Sequence, residues 1–332
     1  MPYLLEFLIP AYKRTDGVVL ASLSVAQQVV ENNFESLVLI TVVDDASPNF
    51  SKDILIRSLG DKAHLIHINV NSLNKGMSRN IFDMTSSSNA EFCTVLTDDD
   101  WLLDGKLVEI VEYLRSIVNK KCIGGLYTPR YSYLGTGELH CVVCKPFSQD
   151  RLIENGPVQA MKYCEDGFIL TGFIFRPAYF ARKEWSENIG NAFFPVINFG
   201  IILSRYSLLY VDRNWFHHTV LNVCHWEAWG EDQFIQRKRL YRDYMDAVSI
   251  LARSLISYGI SSKSKISIVW YEYSNYLSQF RSKDMPLFSR INGVSWRTRQ
   301  RLAFKISVVG YPIYIIFKLI LRGIFVLNRI IK

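Results

Sequence analysis

Glycine and proline are scarce, 18 and 10 of 332 residues, and no biased tract or internal repeat runs through the chain. That excludes collagen-like, low-complexity and solenoid architectures. Cysteine is sparse too: there are six, and the pair Cys141 and Cys144 has no second CxxC to complete a zinc site. This density excludes a disulfide scaffold and reads as reduced thiols in a cytosolic compartment. No Gly-x-Gly-x-x-Gly follows the first apolar run and no P-loop pattern occurs, which argues against NAD enzymes and P-loop nucleotidases. The opening MPYLLEFLIPAYKR lacks a basic leader and reaches Pro10 and Lys13 too early for a signal peptide. Near the other end the longest uncharged stretch, Ile306–Phe317, has 12 residues. A spanning helix needs about 20.

The formal charge of +7 is concentrated. Arg297, Arg299, Arg301, Lys305, Lys318, Arg322, Arg329 and Lys332 carry +8 without one acid among them, so the remaining chain sums to −1. A near-neutral body with a basic tail is not the profile of a nucleic-acid-binding domain.

What is present is an α/β rhythm. Leu4–Pro10, Leu37–Val43, Leu65–Asn69 and Glu91–Leu96 are short, nearly continuous apolar runs separated by helix-length segments. Buried parallel strands read this way. Asp16 is placed to cap a helix over Gly17–Asn32, and a further helix is expected from Gly76. Three of the four runs empty into polar clusters: Pro10–Arg14, Asp44–Ser47 and Asp98–Asp100. In such sheets ligands collect beyond the carboxyl ends of the strands. Asp98, Asp99 and Asp100 in succession repel one another unless a cation or counter-charge sits between them, and oxygen ligation suits Mg²⁺ or Mn²⁺. A carboxylate at Asp44 or Asp45 can accept hydrogen bonds from a base N–H and a ribose hydroxyl.

PAYKR (Pro10–Arg14), VVDDASPN (Val42–Asn49), NKGMSRN (Asn74–Asn80), TDDDW (Thr97–Trp101) and TGFIFR (Thr171–Arg176) occur in this order. In that order and spacing the chain resembles family 2 glycosyltransferases over roughly residues 1–235, most closely bacterial O-antigen or capsule transferases of the abequosyltransferase-like group. The resemblance implies a GT-A nucleotide-sugar-binding fold: α/β with a mainly parallel central sheet, followed by a helical extension over 236–296. It also implies roles. Ala11 and Tyr12 would lie against the nucleotide and Arg14 near its ribose or phosphates. Asp44 and Asp45 would hold base and ribose, and Arg79 would brace the nucleotide loop. Asp98 would sit nearer the ribose and Asp100 on the metal, with His218 (or its neighbour His217) as a further ligand. Gly172 would begin the acceptor loop. A divalent ion there would offset the charge growing on the departing diphosphate.

The general base departs from the family's pattern. Asn191–Arg205 contains no acid, and the only downstream Glu–Asp pair is Glu231–Asp232. Asp232 is the candidate catalytic base; its structural alternative is a helix cap ahead of QFIQRKRL. Trp226 and Trp229 flank a polar stretch and suit stacking on an acceptor sugar. In residues 297–332, apolar runs too short to span alternate with Lys and Arg, the pattern of a segment lying in an anionic membrane interface. The alternative there is a packed C-terminal helix. Together these point to a cytoplasmic sugar transferase, peripheral on the inner face of a bacterial membrane, working on an undecaprenyl-diphosphate-linked glycan. The rival is a non-catalytic membrane-peripheral carbohydrate-binding protein. A processive synthase is disfavoured, since Gln-x-x-Arg-Trp is absent.

Overall fold

β1 (Leu5–Ala11) lies between β2 (Val38–Asp44) and β4 (Phe92–Val95), parallel to both. Strands covered on both faces need side chains that are apolar in either direction, and Leu5, Phe7, Leu8 and Ile9 are fully buried. The register pairs Leu5 with Val38 and Ala11 with Asp44, so the first apolar run and the first acidic cluster end at one edge. β3 (Ile66–Val70) extends the sheet beyond β2. On the other side follow β10 (Phe173–Phe175), β6 (Ile123–Tyr127), β11 (Ser207–Tyr210) and β9 (Arg151–Ile153). The eight-stranded order is β3-β2-β1-β4-β10-β6-β11-β9, with β10 and β9 reversed.

A second sheet, β5-β12-β7-β8, is built from β5 (Asp100–Leu102), β12 (Phe216–Val220), β7 (Arg130–Leu134) and β8 (Leu139–Val143). It takes over where the chain leaves β4 through the aspartate cluster.

Helix α1 (Thr15–Glu31) buries Val18, Ala21, Val25, Ala26 and Val29, spaced three and four apart on one face. It begins two residues before the expected start, so Asp16 lies inside the first turn; no side chain caps it. Polar groups on the same face tie it to the second sheet. Leu102 N–H donates to the Ser24 hydroxyl at 3.1 Å, and the buried Gln28 amide bridges the Leu103 carbonyl and the Leu107 N–H. α2 (Lys52–Leu59), α3 (Met77–Ser87), α4 (Lys106–Ile117), α5 (Pro157–Tyr163) and α6 (Arg182–Ser186) follow in order. α7 (Phe194–Arg205) is buried along almost its whole length. α8 (Gln233–Ile256) packs on α7, where Leu251 fills the space over Gly200.

The computed structural model describes residues 2–48, 52–134, 137–168, 170–220 and 233–257, with scattered positions from 260 to 271. A first compact unit spans Met1–Val269, so α8 belongs with the sheets. A second, Trp270–Lys332, lies outside the described residues apart from Tyr271. Among the described residues no helix is long and apolar enough to cross a membrane.

Candidate active site

The carboxyl ends of β1, β2 and β4 bring three clusters together, each with a definite set of bonds. Asp44 is fully buried and accepts from the Ser47 N–H at 2.8 Å and from the Ser47 hydroxyl. Ser47 in turn accepts the Lys13 N–H at 2.8 Å, which joins the β1 and β2 loops. Asp45 directs both oxygens at the loop after β3: Asn71 Nδ2 at 2.9 Å, Lys75 N–H at 2.9 Å and Gly76 N–H at 2.7 Å. Asn80, buried, completes this brace through the Val43 carbonyl and the Asn71 amide. Gly76 has φ +81°, a conformation open to glycine at little cost, which lets its N–H face Asp45.

The bracing expected of Arg79 thus comes from Asp45, Asn71 and Asn80. Arg79 itself pairs with Asp83 one helical turn on, at 2.9 Å. Ala11 is buried at the end of β1, and Tyr12 is exposed beside it.

Arg14 crosses from the β1 loop to the aspartates. Its guanidinium bonds Asp98 and lies 3.4 Å from Asp99. The counter-charge that three successive aspartates require is therefore, for two of them, an arginine 84 residues away in sequence. Burial nevertheless pushes the Asp98 carboxyl up to about 7, because Arg14 offsets only part of the lost hydration and Asp99 adds repulsion.

Asp100 is held otherwise. Its carboxylate accepts the Thr97 hydroxyl at 2.8 Å and the Thr219 N–H at 3.2 Å, and His218 Nδ1 stands 3.1 Å from Oδ2. Burial opposes its charge, but the His218 bond and charge, then Arg130 and Thr171, outweigh that and hold it below the usual range. The register of β12 against β5 separates the two histidines. His218 faces Asp100, while His217 faces Trp101. The His217 ring is stacked between Trp101, at 3.6 Å, and Tyr133, at 4.3 Å, and burial lowers its pKa.

These residues were expected to hold Mg²⁺ or Mn²⁺. Among the described residues no group of three His, Cys, Asp or Glu side chains is placed to hold an ion. Asp98 is paired with Arg14, and Asp100 is already engaged by Thr97, Thr219 and His218. Asp98, Asp100 and His218 do not fit a preassembled ion site.

At the start of β10, Gly172 has φ +100°, and its carbonyl accepts the Thr128 N–H at 3.0 Å. The neighbouring Thr171 hydroxyl accepts the Thr97 N–H at 3.2 Å, so the expected acceptor loop meets the aspartate cluster directly. Trp226, Trp229 and Asp232 lie outside the described residues, as does 297–332.

Sequence reasoning missed two further residues of this edge. Gly17 in the first turn of α1 faces the Asp98 carbonyl; a Cβ there would come within 1.9 Å of it. Arg130 on β7 bonds the Ser132 hydroxyl at 3.1 Å and acts electrostatically on Asp100, yet no carboxylate among the described residues lies within ion-pair distance of it. A half-buried guanidinium without an anion has the chemistry of a phosphate contact. No motif marks it, because its meaning depends on the register of the second sheet. Arg176 of TGFIFR, by contrast, belongs to the opposite edge. It is 2 % exposed and bonds Glu91 and the carbonyls of Ile117, Val118 and Ile123.

Residues 6–135 match the family model described as Glycosyl transferase family 2. No curated protein matches the chain. Among solved structures it is similar to S. aureus TarS. Against TarS 1-349 in complex with UDP-GlcNAc the identity is 15 % and the TM-score 0.59, covering 86 % of this chain and 77 % of that one. Against TarS 1-349 in complex with UDP the values are 16 % and 0.57, covering 88 % and 74 %. A further TarS structure gives 14 % and 0.57, and there this chain spans 46 % of the other's length. At these identities the likeness is one of fold: the α/β arrangement with its large mixed sheet is of the GT-A type.

Proposed function

We propose that the chain transfers a sugar from a nucleoside-diphosphate sugar to a hydroxyl of a glycan acceptor, with the donor lying across the carboxyl ends of β1, β2 and β4. One observation carries this reading: Arg14 and Asp98 meet across that edge, inside the segment that matches the glycosyltransferase family model. Asp44 and Asp45 shape the nucleoside side of the site, one tying its own loop and the other the loop before α3. Arg14 and Arg130 supply the positive charge that a departing diphosphate needs. Arg14 can exchange Asp98 for a phosphate because its guanidinium remains 41 % exposed. That TarS structures of the same fold hold UDP and UDP-GlcNAc favours a uridine nucleotide.

The divalent ion, Mg²⁺ or Mn²⁺, arrives in this reading with the diphosphate, since magnesium sites commonly combine one or two carboxylates with substrate phosphates. The acceptor is a lipid-linked glycan of undecaprenyl-diphosphate type, and the pathway is assembly of a bacterial surface polysaccharide, O-antigen or capsule. The abequosyltransferase-like grouping belongs to the same reading. Its support is the composition of residues 297–332, eight cationic side chains among apolar runs, which suits peripheral attachment at the cytoplasmic face of the inner membrane.

Calorimetric titration with UDP and with UDP-GlcNAc tests the donor half. Binding is expected, and Arg14→Ala should weaken it about 10–100-fold, the worth of a hydrogen bond to a charged group. Failure of UDP-, GDP-, CDP- and dTDP-sugars alike to bind the full chain would overturn the proposal.

A further inference from the structure

Single displacement at an anomeric carbon needs a group to take the acceptor's proton, and most acids near this edge already have other partners. Asp44 and Asp45 are bonded into loops, Asp98 and Asp99 face Arg14, and Asp100 is engaged by Thr97, Thr219 and His218. Asp212 pairs with Lys145 at 2.8 Å, Asp150 lies 3.6 Å from Arg213, and Glu165 accepts the Tyr244 hydroxyl at 2.6 Å. Asp166 differs. Its Oδ2 accepts the Tyr127 hydroxyl at 3.1 Å; among the described residues its Oδ1 takes no hydrogen bond and no cation lies within ion-pair distance. The side chain is partly exposed.

The 3₁₀ turn Cys164–Phe168 holds Asp166 firmly. Gly167 backs onto α7 so closely that a Cβ would come within 2.3 Å of Phe199, and Tyr244 of α8 fixes Glu165. Tyr127 is the last residue of β6, and the next residue, Thr128, bonds Gly172. Thr171 then bonds Thr97, which bonds Asp100. A short continuous chain of contacts therefore links Asp166 to the proposed donor site through the start of the acceptor loop.

We propose that Asp166 is the general base of the transfer, an inference that rests on the transferase reading above. The acceptor hydroxyl oxygen bonds to the anomeric carbon. The bond from that carbon to the β-phosphate oxygen breaks, its electron pair leaving on the nucleoside diphosphate, and the hydroxyl proton passes to Asp166 and on to solvent.

The surroundings suit that role. Burial raises the carboxyl to about 7, the Tyr127 hydroxyl pulling it down and Glu165 pushing it up. The other groups facing it are the phenol of Tyr210 and the thiol of Cys144, both pushed up by burial and uncharged near neutrality. A base with its pKa near the working pH combines availability with proton affinity.

The test uses the full chain, a donor panel of UDP-, GDP-, CDP- and dTDP-sugars, and methyl glycosides as acceptor probes. Asp166→Asn should lower kcat for transfer by about 10²–10⁴-fold, with UDP affinity within about twofold and stability not reduced. The wild-type kcat should fall on the acid side with an apparent pKa near 7, and Asp166→Asn should lose that limb. Tyr127→Phe removes the hydroxyl that lowers the carboxyl pKa, so it should move the limb to higher pH while transfer persists; a merely structural aspartate predicts no such movement. A loss under about fivefold in Asp166→Asn, or an unmoved limb in Tyr127→Phe, overturns the assignment. So does a loss confined to Asp232→Asn, which gives the proton to Asp232. A wild-type chain that transfers from no donor overturns the transferase reading itself, and is told apart because no variant is then needed to see the failure.

Discussion

Replacing Gly17 by alanine separates two opposed expectations. Helix propensity alone favours the change: alanine exceeds glycine by about 1 kcal/mol inside a helix, and Gly17 lies within α1. The structure predicts the opposite sign. The new methyl would sit 1.9 Å from the Asp98 carbonyl oxygen, whereas real contacts of this kind do not fall below 3.0 Å. The first turn of α1, or the backbone at Asp98, must therefore retreat by about 1 Å, and neither partner is a flexible side-chain end. Overpacking of this kind costs about 1–3 kcal/mol, which cancels or exceeds the propensity gain. α1 is also tied to Leu102, Leu103 and Leu107 through Ser24 and Gln28, so the retreat strains the anchor of β5 as well. For a unit of this size each kcal/mol moves Tm by about 2 °C. Function should suffer more than stability, because about 1 Å of misplacement can cost 10²-fold in rate. Thermal unfolding and UDP calorimetry on the same preparation measure both. A Gly17→Ala chain with a raised Tm and unchanged UDP affinity would refute the close approach of α1 to the aspartate loop.

Three further outcomes follow from other parts of the molecule. Arg176→Met removes the guanidinium donor from the carbonyls of Ile117, Val118 and Ile123, while partly exposed Glu91 keeps Lys121 at 2.9 Å, and should cost about 1–3 kcal/mol in urea unfolding, the range for buried acceptors losing a partner, while UDP binding to the folded fraction is kept. Asp166 is held near 7 in the folded chain and titrates near 4 when unfolded, so its contribution to stability is complete in acid and is lost as pH rises to about 7. Asp166→Asn should accordingly gain more over the wild type at pH 8 than at pH 4, as read by urea midpoints. Deleting residues 297–332 should leave UDP binding intact but abolish sedimentation with anionic vesicles, and high salt should release the full chain only in part, since salt weakens only the electrostatic share of its attachment. Full-length protein remaining in the supernatant at low salt would refute the interfacial role of the tail.

The central strands were legible because a strand covered on both faces must be apolar without alternation. Leu4–Pro10 and Leu37–Val43 announce β1 and β2 within a residue. The second sheet was not legible. β5 has three residues, and β12, FHHTV, alternates polar and apolar character only once its register is known. That register decides which histidine meets Asp100, a choice the doublet leaves open. The aspartate cluster was visible as charge in need of compensation, but its compensation by Arg14 spans 84 residues and follows from the adjacency of β1 and β4. The helix start, two residues early, was not legible either, since Arg14 at the N-cap carries only donors and gives no capping signal. The side chain at the N-cap position, Arg14, is drawn to Asp98, and the first turn begins without a side-chain cap. Asp45 reads in sequence as a ligand contact, whereas its oxygens brace the loop of residues 71–76, a use that only the approach of β3 reveals.

The most direct test of the whole account is release of nucleoside diphosphate by the full chain from the donor panel, with lipid-linked and soluble glycans offered as acceptors. The account predicts that at least one donor gives nucleoside diphosphate in proportion to glycan product, and that Arg14→Ala suppresses both together. Nucleoside diphosphate release from none of the donors with any acceptor, or product formation untouched in Arg14→Ala, would contradict it.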